Sequence, residues 1–137
     1  MAYHSYIEFR GARRLESDGA LDVLAGVLKT WATGRGEELA RWLEHACQRW
    51  LEHMATMPPG LRDLVLDTYL TASEQEDYLA AAVRAVQTHA RAQGPSFLPA
   101  VCEDLLAVLG SKPEPPVGDV KSNASYEVYD GLGRVRT

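Results

Sequence analysis

The segment EELARWLEHACQRWLEHM, residues 37–54, decides the fold class of this chain. Its apolar residues recur at steps of three and four, so they form one stripe along a helix, and charged residues occupy the other sides. The same spacing returns several times before residue 110, which predicts a mainly helical bundle. The stripe consists of Leu39, Trp42, Leu43, Ala46, Trp50 and Met54.

Turn and cap signals divide the body of the chain into five predicted helices. Ser17 or Asp18 is the expected N-cap of the first, and Thr71 to Glu74 has the spacing of a capping box that starts the fourth. Gly26 either weakens the first helix or marks the close approach of a neighbour. The predicted helices cover about residues 17–32, 37–57, 59–70, 73–93 and 96–109.

Short β elements are predicted at both ends of the chain. Residues 3–10 alternate as a strand does, with Tyr3, Ser5, Ile7 and Phe9 on one side, and an interruption is expected at 10–14, where Gly11 lies among three arginines. Residues 111–137 form a second region, a proline-rich arm that leads into a β-hairpin around the glycines of 130–133. That hairpin would pair with the N-terminal strand in a small antiparallel sheet; the alternative is a disordered tail.

Composition favours a globular protein and disfavours nucleic-acid binding without excluding it. The 137 residues are 46 % hydrophobic and 24 % charged, and 19 acids against 14 bases give a net charge of −5. An acidic balance argues against a general nucleic-acid binder, which needs a basic stripe to displace phosphate counterions. The sequence has no transmembrane-length apolar run and no signal-peptide pattern at its start, so we expect a cytoplasmic protein. Cys47 and Cys102 are expected as buried free thiols, with a disulfide between them as the alternative.

Catalytic and metal-binding motifs are not apparent in the sequence. Glu44-His45 and Glu52-His53 lack the spacing of helical metal ligands, and His89 has no partner motif. No nucleophile elbow or phosphate loop occurs; the turn at 34–36 is at most a weak anion site. We therefore predict a protein that is not an enzyme and carries no cofactor or metal.

One local resemblance lies at the end of the chain. Tyr129-Asp130-Gly131-Leu132-Gly133-Arg134-Val135 resembles a single YD-repeat unit, the hairpin element of Rhs-type toxin shells. It covers seven of the 137 residues. The resemblance implies a bacterial gene from a polymorphic-toxin locus, where small acidic helical proteins are typically immunity proteins that bind and block a toxin.

The predicted function is a non-catalytic protein-binding module, at its sharpest an immunity- or antitoxin-like inhibitor that occludes a toxin partner. Acids clustered at predicted helix starts would meet basic groups of the partner, although helix capping alone also explains them. Trp42 is the candidate aromatic anchor for a partner. The alternative is that Trp42, like Trp31 and Trp50, packs in the core. The candidate partner-binding residues are Glu37, Glu38, Trp42, Glu74, Glu76 and Asp77.

Two alternatives come from other functional classes. A small helical subunit of a larger assembly, including a nucleoprotein, would use a basic face despite the net charge. A small-molecule-binding protein would instead show a closed, polar-lined cavity between helices. Off-stripe apolar residues add some support for a binding surface; they are Val23, Val27, Leu51, Leu66 and Leu106. The arginines that would form the basic face are Arg10, Arg13, Arg14, Arg35, Arg41 and Arg49.

Overall fold

A computed structural model describes residues 3–110, which form four helices and a small three-stranded sheet near the N-terminus. The helices are α1 (Asp18–Ala32), α2 (Glu38–Thr56), α3 (Ser73–Gln93) and α4 (Leu98–Gly110); the strands are β1 (His4–Phe9), β2 (Ala12–Ser17) and β3 (Leu64–Val65). The mainly helical fold class is confirmed, but the number of helices is four rather than five.

The N-terminal strand is one half of a β-hairpin. Ser5, Ile7 and Phe9 of β1 face the core, as its alternation predicts. Arg10 and Gly11 have φ angles of 51° and 84°, the two positive values of a tight hairpin turn, and β2 returns antiparallel to β1. The predicted interruption is therefore wrong beyond residue 11, because Arg13 and Arg14 lie inside β2. The pattern missed β2 because this edge strand exposes residues 13–15 and buries no large apolar side chain.

The predicted third helix, residues 59–70, is also wrong. This segment contains β3 and a single 3₁₀ turn, Leu66–Thr68. Its buried residues at this point are Leu64 and Leu66, which are two apart as in a strand, whereas Leu61 is 61 % exposed. Asp63 accepts a 2.8 Å hydrogen bond from the backbone N–H of Tyr6, and β3 pairs parallel to β1 at residues 64 and 65. Tertiary pairing with β1 thus overrides the helical spacing.

The sheet has the order β2-β1-β3, with both edges of β1 occupied at its centre. The predicted antiparallel sheet between the N-terminal strand and the C-terminal hairpin is not matched: within residues 3–110, β1 has β2 and β3 as its partners. The predicted arm and hairpin of residues 111–137 lie outside the described residues.

Most of the predicted helix ends are confirmed. The hydroxyl of Ser17 accepts a 3.1 Å hydrogen bond from the N–H of Ala20, so Ser17 is the N-cap of α1. The capping box at 71–74 is wrong: the N-cap of α3 is Ala72, and it is the Gln75 side chain that accepts the backbone N–H of Thr71 at 2.8 Å. Pro99 falls in the first turn of α4, where a proline is tolerated.

The helices enclose one apolar core that also takes up the buried face of β1. In this core α1 packs mainly on α2, α3 packs mainly on α4, and α4 covers β1 and β2. A polar network holds the sheet to the bundle: Asp18 accepts from the hydroxyl of Ser5 at 2.6 Å and from the N–H of Gly60 at 2.9 Å. The largest fully buried side chains include Ile7, Leu21, Leu24, Leu28, Leu43, Trp50, Leu79 and Leu105.

Candidate protein-binding site

The first turns of α2 and α3 lie side by side and form a groove of about 590 Å³. Glu37, Glu38, Trp42 and Glu74 line it, so four of the six residues predicted to bind a partner come together here. The hydroxyl of Tyr78 donates a 2.9 Å hydrogen bond to the Glu37 carboxylate and links the two helices. Two separate stretches of sequence therefore contribute to one acidic and aromatic site, completed by Leu39 and Gln75.

The charge of this groove is negative and largely uncompensated. The carboxylates of Glu38 and Glu74 are exposed, and neither has a cation within 4.0 Å among residues 3–110. Each lies in the first turn of its helix, where the helix dipole favours negative charge. Two arginines lie near its rim: the guanidinium of Arg41 donates to the carbonyl of Gly36, and that of Arg35 lies 3.7 Å from the centre of the Trp31 ring, which itself packs against Tyr78.

Tyr78 is a site residue that sequence reasoning missed. Burial raises the pKa of its hydroxyl, and the hydrogen bond to Glu37 and the negative charge of that carboxylate raise it further. The phenol therefore stays a neutral donor that holds Glu37 in place. A signal was available, since Tyr78 lies four residues after Glu74 and hence on the same face of α3.

Glu76 and Asp77 do not belong to the groove. Glu76 forms a 2.6 Å ion pair with Arg10, which ties α3 to the turn of the β-hairpin. Asp77 is exposed on α3 but does not line the groove. The acid-rich start of α3 thus divides into a groove residue, a structural ion pair and a solvated carboxylate.

The three tryptophans have different surroundings. Trp50 is 1 % exposed and meets Tyr69 edge-on at 5.4 Å between ring centres, so it is a core residue. Its indole nitrogen has no hydrogen-bond partner among the described residues. Trp31 is half-buried against Tyr78. Trp42 is half-buried with part of its surface in the groove, which is the position that an interface anchor requires.

The described residues include two buried thiols and no cluster of metal ligands. Residues 3–110 contain no group of three or more His, Cys, Asp or Glu side chains placed to hold a metal ion. Cys47 and Cys102 are free and buried, so the alternative disulfide does not form. Burial raises the pKa of Cys47 to about 12 and that of Cys102 to about 11, which disfavours the reactive thiolate. In the same range, no helix has the length and apolar character needed to cross a membrane.

The arginines are mostly engaged within the fold. Arg13 pairs with Glu8 at 3.2 Å and lies over the ring of Tyr6. Arg49 lies over Tyr69, and Arg41 donates to the carbonyl of Gly36. Together with Arg10 and Arg35, five of the six candidate basic-face residues have an internal acid, ring or carbonyl as a partner; Arg14 has none within residues 3–110.

A second groove, of about 860 Å³, lies between α1, α3 and the start of α4. Its lining is mainly apolar and includes the off-stripe residues Val23 and Val27. The other off-stripe residues pack on the core, and Leu66 is fully buried. This groove is therefore not the closed, polar-lined cavity that would favour small-molecule binding.

Comparisons of the chain with protein-family models, with curated proteins and with solved structures found no match. The groove itself is therefore the guide to function. The resemblance to a YD-repeat unit at residues 129–135 lies outside the described residues and stays a prediction.

Proposed function

We propose that this protein is a non-catalytic binding module that captures a basic segment of a partner protein in the groove between the starts of α2 and α3. One observation supports this proposal most: the exposed carboxylates of Glu38 and Glu74 line the same groove as Trp42, and neither forms an ion pair among residues 3–110. An arginine or lysine side chain fits such a site, because its charge meets the carboxylates and its stem packs on aromatic surface.

The mechanism of inhibition that we propose is steric and electrostatic. The acidic groove steers a basic surface toward it and raises the association rate, and the aromatic rings then exclude water from the contact. The resemblance at residues 129–135 suggests the class of partner, a toxin domain whose basic active-site surface is covered in the complex. The assembly-subunit alternative is less favoured, because most of the arginines it needs are engaged internally.

The test starts with affinity capture from the native host, followed by mass spectrometry and by binding measurements with the purified partner. We expect a basic toxin-like protein, and we expect the double variant Glu38→Gln, Glu74→Gln to bind it at least about tenfold more weakly, chiefly through slower association. The matched control is Glu44→Gln with Asp77→Asn, which removes the same charge from the same two helices outside the groove.

Two results would contradict the proposal. Equal binding by the groove variant and its control would place the interface elsewhere. Capture of no protein other than the chain itself would remove the binding role altogether.

A further inference from the structure

We infer that this protein forms a symmetric dimer in which β2 of one copy pairs antiparallel with β2 of a second copy, in the register that places Leu15 opposite Leu15. In the order β2-β1-β3, β2 is an edge strand with one side unpaired in the described chain. An unpaired edge presents a row of backbone donors and acceptors that a second strand can use.

The hydrogen-bond alternation of the hairpin identifies the free groups. A two-residue turn joins Phe9 to Ala12, so the backbones of these two residues form hydrogen bonds with each other. In an antiparallel pair of strands, hydrogen-bonded and non-hydrogen-bonded residue pairs alternate, so every second pair after this one is also hydrogen-bonded. Two contacts agree with this phase: Asp18 N–H donates to the carbonyl of Tyr3 at 2.9 Å, and Tyr6 N–H points away from β2 to Asp63. It follows that Arg13, Leu15 and Ser17 direct their backbone groups toward the open edge.

A twofold axis perpendicular to the sheet restricts which residues can be opposite each other. Two conditions apply. Residues opposite each other must have their side chains on the same face of the sheet, and the hydrogen-bonded pairs must consist of residues 13, 15 and 17. Centring the axis on Leu15 meets both conditions. The backbone of Leu15 then forms hydrogen bonds with Leu15 of the second copy, and the backbone of Arg13 with Ser17 of the second copy. Centring it one residue earlier would place Arg14 opposite Arg14, two like charges in direct contact.

The side chains in this register complement each other. Leu15 is 55 % exposed in the single chain, and the dimer places it against its twin on the outer face of the sheet. Arg14, which has no ion-pair partner among residues 3–110, comes opposite Glu16 of the second copy. This is a non-bonded pair, the kind in which opposing side chains lie closest. Two such ion pairs form, one on each side of the axis.

The surroundings of Glu16 supply an independent reason for a cation there. Glu16 on β2 lies beside Asp104 on α4, and desolvation, followed by the hydrogen bond and the charge of Asp104, raises the pKa of Glu16 to about 8. Two adjacent carboxyl groups without a counter-charge repel when both are ionised. The guanidinium of Arg14 from the second copy would compensate this charge.

The surface next to β2 is concave. A groove of about 760 Å³ has Leu15, Glu16 and Ser17 on one side and Phe97, Ala100 and Asp104 of α4 on the other. Phe97 is 43 % exposed and adds apolar surface to this groove. The face lies on β2 and α4, so it leaves the acidic groove of α2 and α3 free for a different protein.

Sedimentation velocity of the full chain over a concentration series tests the dimer. We expect the wild-type chain to dimerise and Leu15→Lys to be monomeric, because two lysines would then face each other at the axis and an edge lysine blocks strand pairing. Leu15 is exposed in the monomer, so this change leaves the fold intact; circular dichroism and thermal unfolding check that it does.

A charge exchange tests the register. Arg14→Glu alone and Glu16→Arg alone each create like-charge pairs across the axis and should weaken the dimer, whereas the double variant should restore it. A wild-type chain that stays monomeric at every concentration would overturn the inference. This is the result expected if another segment of the same chain pairs with the open edge of β2. The inference would also be overturned if the Leu15→Lys variant still dimerised, or if the double variant did not restore the dimerisation that the single variants lose.

Discussion

Gly26 in α1 provides a test of how tightly the bundle is packed. It lies in the interior of a helix that spans Asp18–Ala32, and a Cβ built on it meets no atom within 4 Å apart from the adjacent backbone of its own helix. Alanine in a helix interior is favoured over glycine by about 1 kcal/mol, because glycine loses more backbone entropy on folding. Since the added methyl group has room, Gly26→Ala should raise the free energy of unfolding by about 1 kcal/mol.

For a domain of this size, that gain corresponds to an increase in Tm of roughly 3–5 °C. Chemical denaturation followed by circular dichroism measures it directly, with an unchanged m-value as the sign that only stability has changed. Gly94→Ala is the matched control with the opposite sign. Its Cβ would lie 2.6 Å from the Cα of Ala90 and 2.8 Å from its Cβ, so we expect a loss of more than about 1 kcal/mol.

A neutral or destabilising Gly26→Ala would refute this reasoning. It would mean that another surface approaches the glycine closely in solution, which is the second interpretation that the sequence allowed. In that case the apolar groove that Gly26 lines would be an occupied contact.

Two further predictions concern titratable groups. Because burial raises the pKa of Cys47 to about 12 and of Cys102 to about 11, both thiols of the folded protein should react with iodoacetamide at pH 8 far more slowly than after denaturation; rapid labelling of the native chain would contradict this. The second prediction is that the stability of the single chain depends on pH through Glu16. Asp104 lies beside Glu16, and His4 lines the same groove. The folded pKa of Glu16, about 8, exceeds the unfolded value, so the folded state holds the extra proton and stability falls as pH rises from about 4.5 to 8. In dilute protein, with Leu15 unchanged so that no cation is added beside the carboxyl pair, Glu16→Gln should therefore raise stability at pH 9 by about 1 kcal/mol after allowance for solvent screening, and leave it nearly unchanged at pH 4. Urea unfolding at both pH values measures the difference, and an equal effect at each would exclude the carboxyl pair as its cause.

The candidate site shows where sequence patterns stop being informative. The acids at the starts of α2 and α3 could be selected from local rules, because carboxylates concentrate at helix N-termini whatever their role. The rules did not distinguish Glu74, which lines the groove, from Glu76, which pairs with Arg10. These residues are two positions apart on one helix, so what each one faces depends on its tertiary neighbours.

By itself, the sequence determined the mainly helical class, the span of α1, α2, α3 and α4 to within about two residues, and the buried face of β1. These features are local, since apolar spacing, proline positions and caps act within a few residues of one another. Tertiary structure alone decided that residues 64 and 65 join a sheet, that β2 forms an edge, and that two distant helix starts share a groove. Each of these depends on contacts between residues tens of positions apart, whose free energy can exceed the weak local preference of either segment.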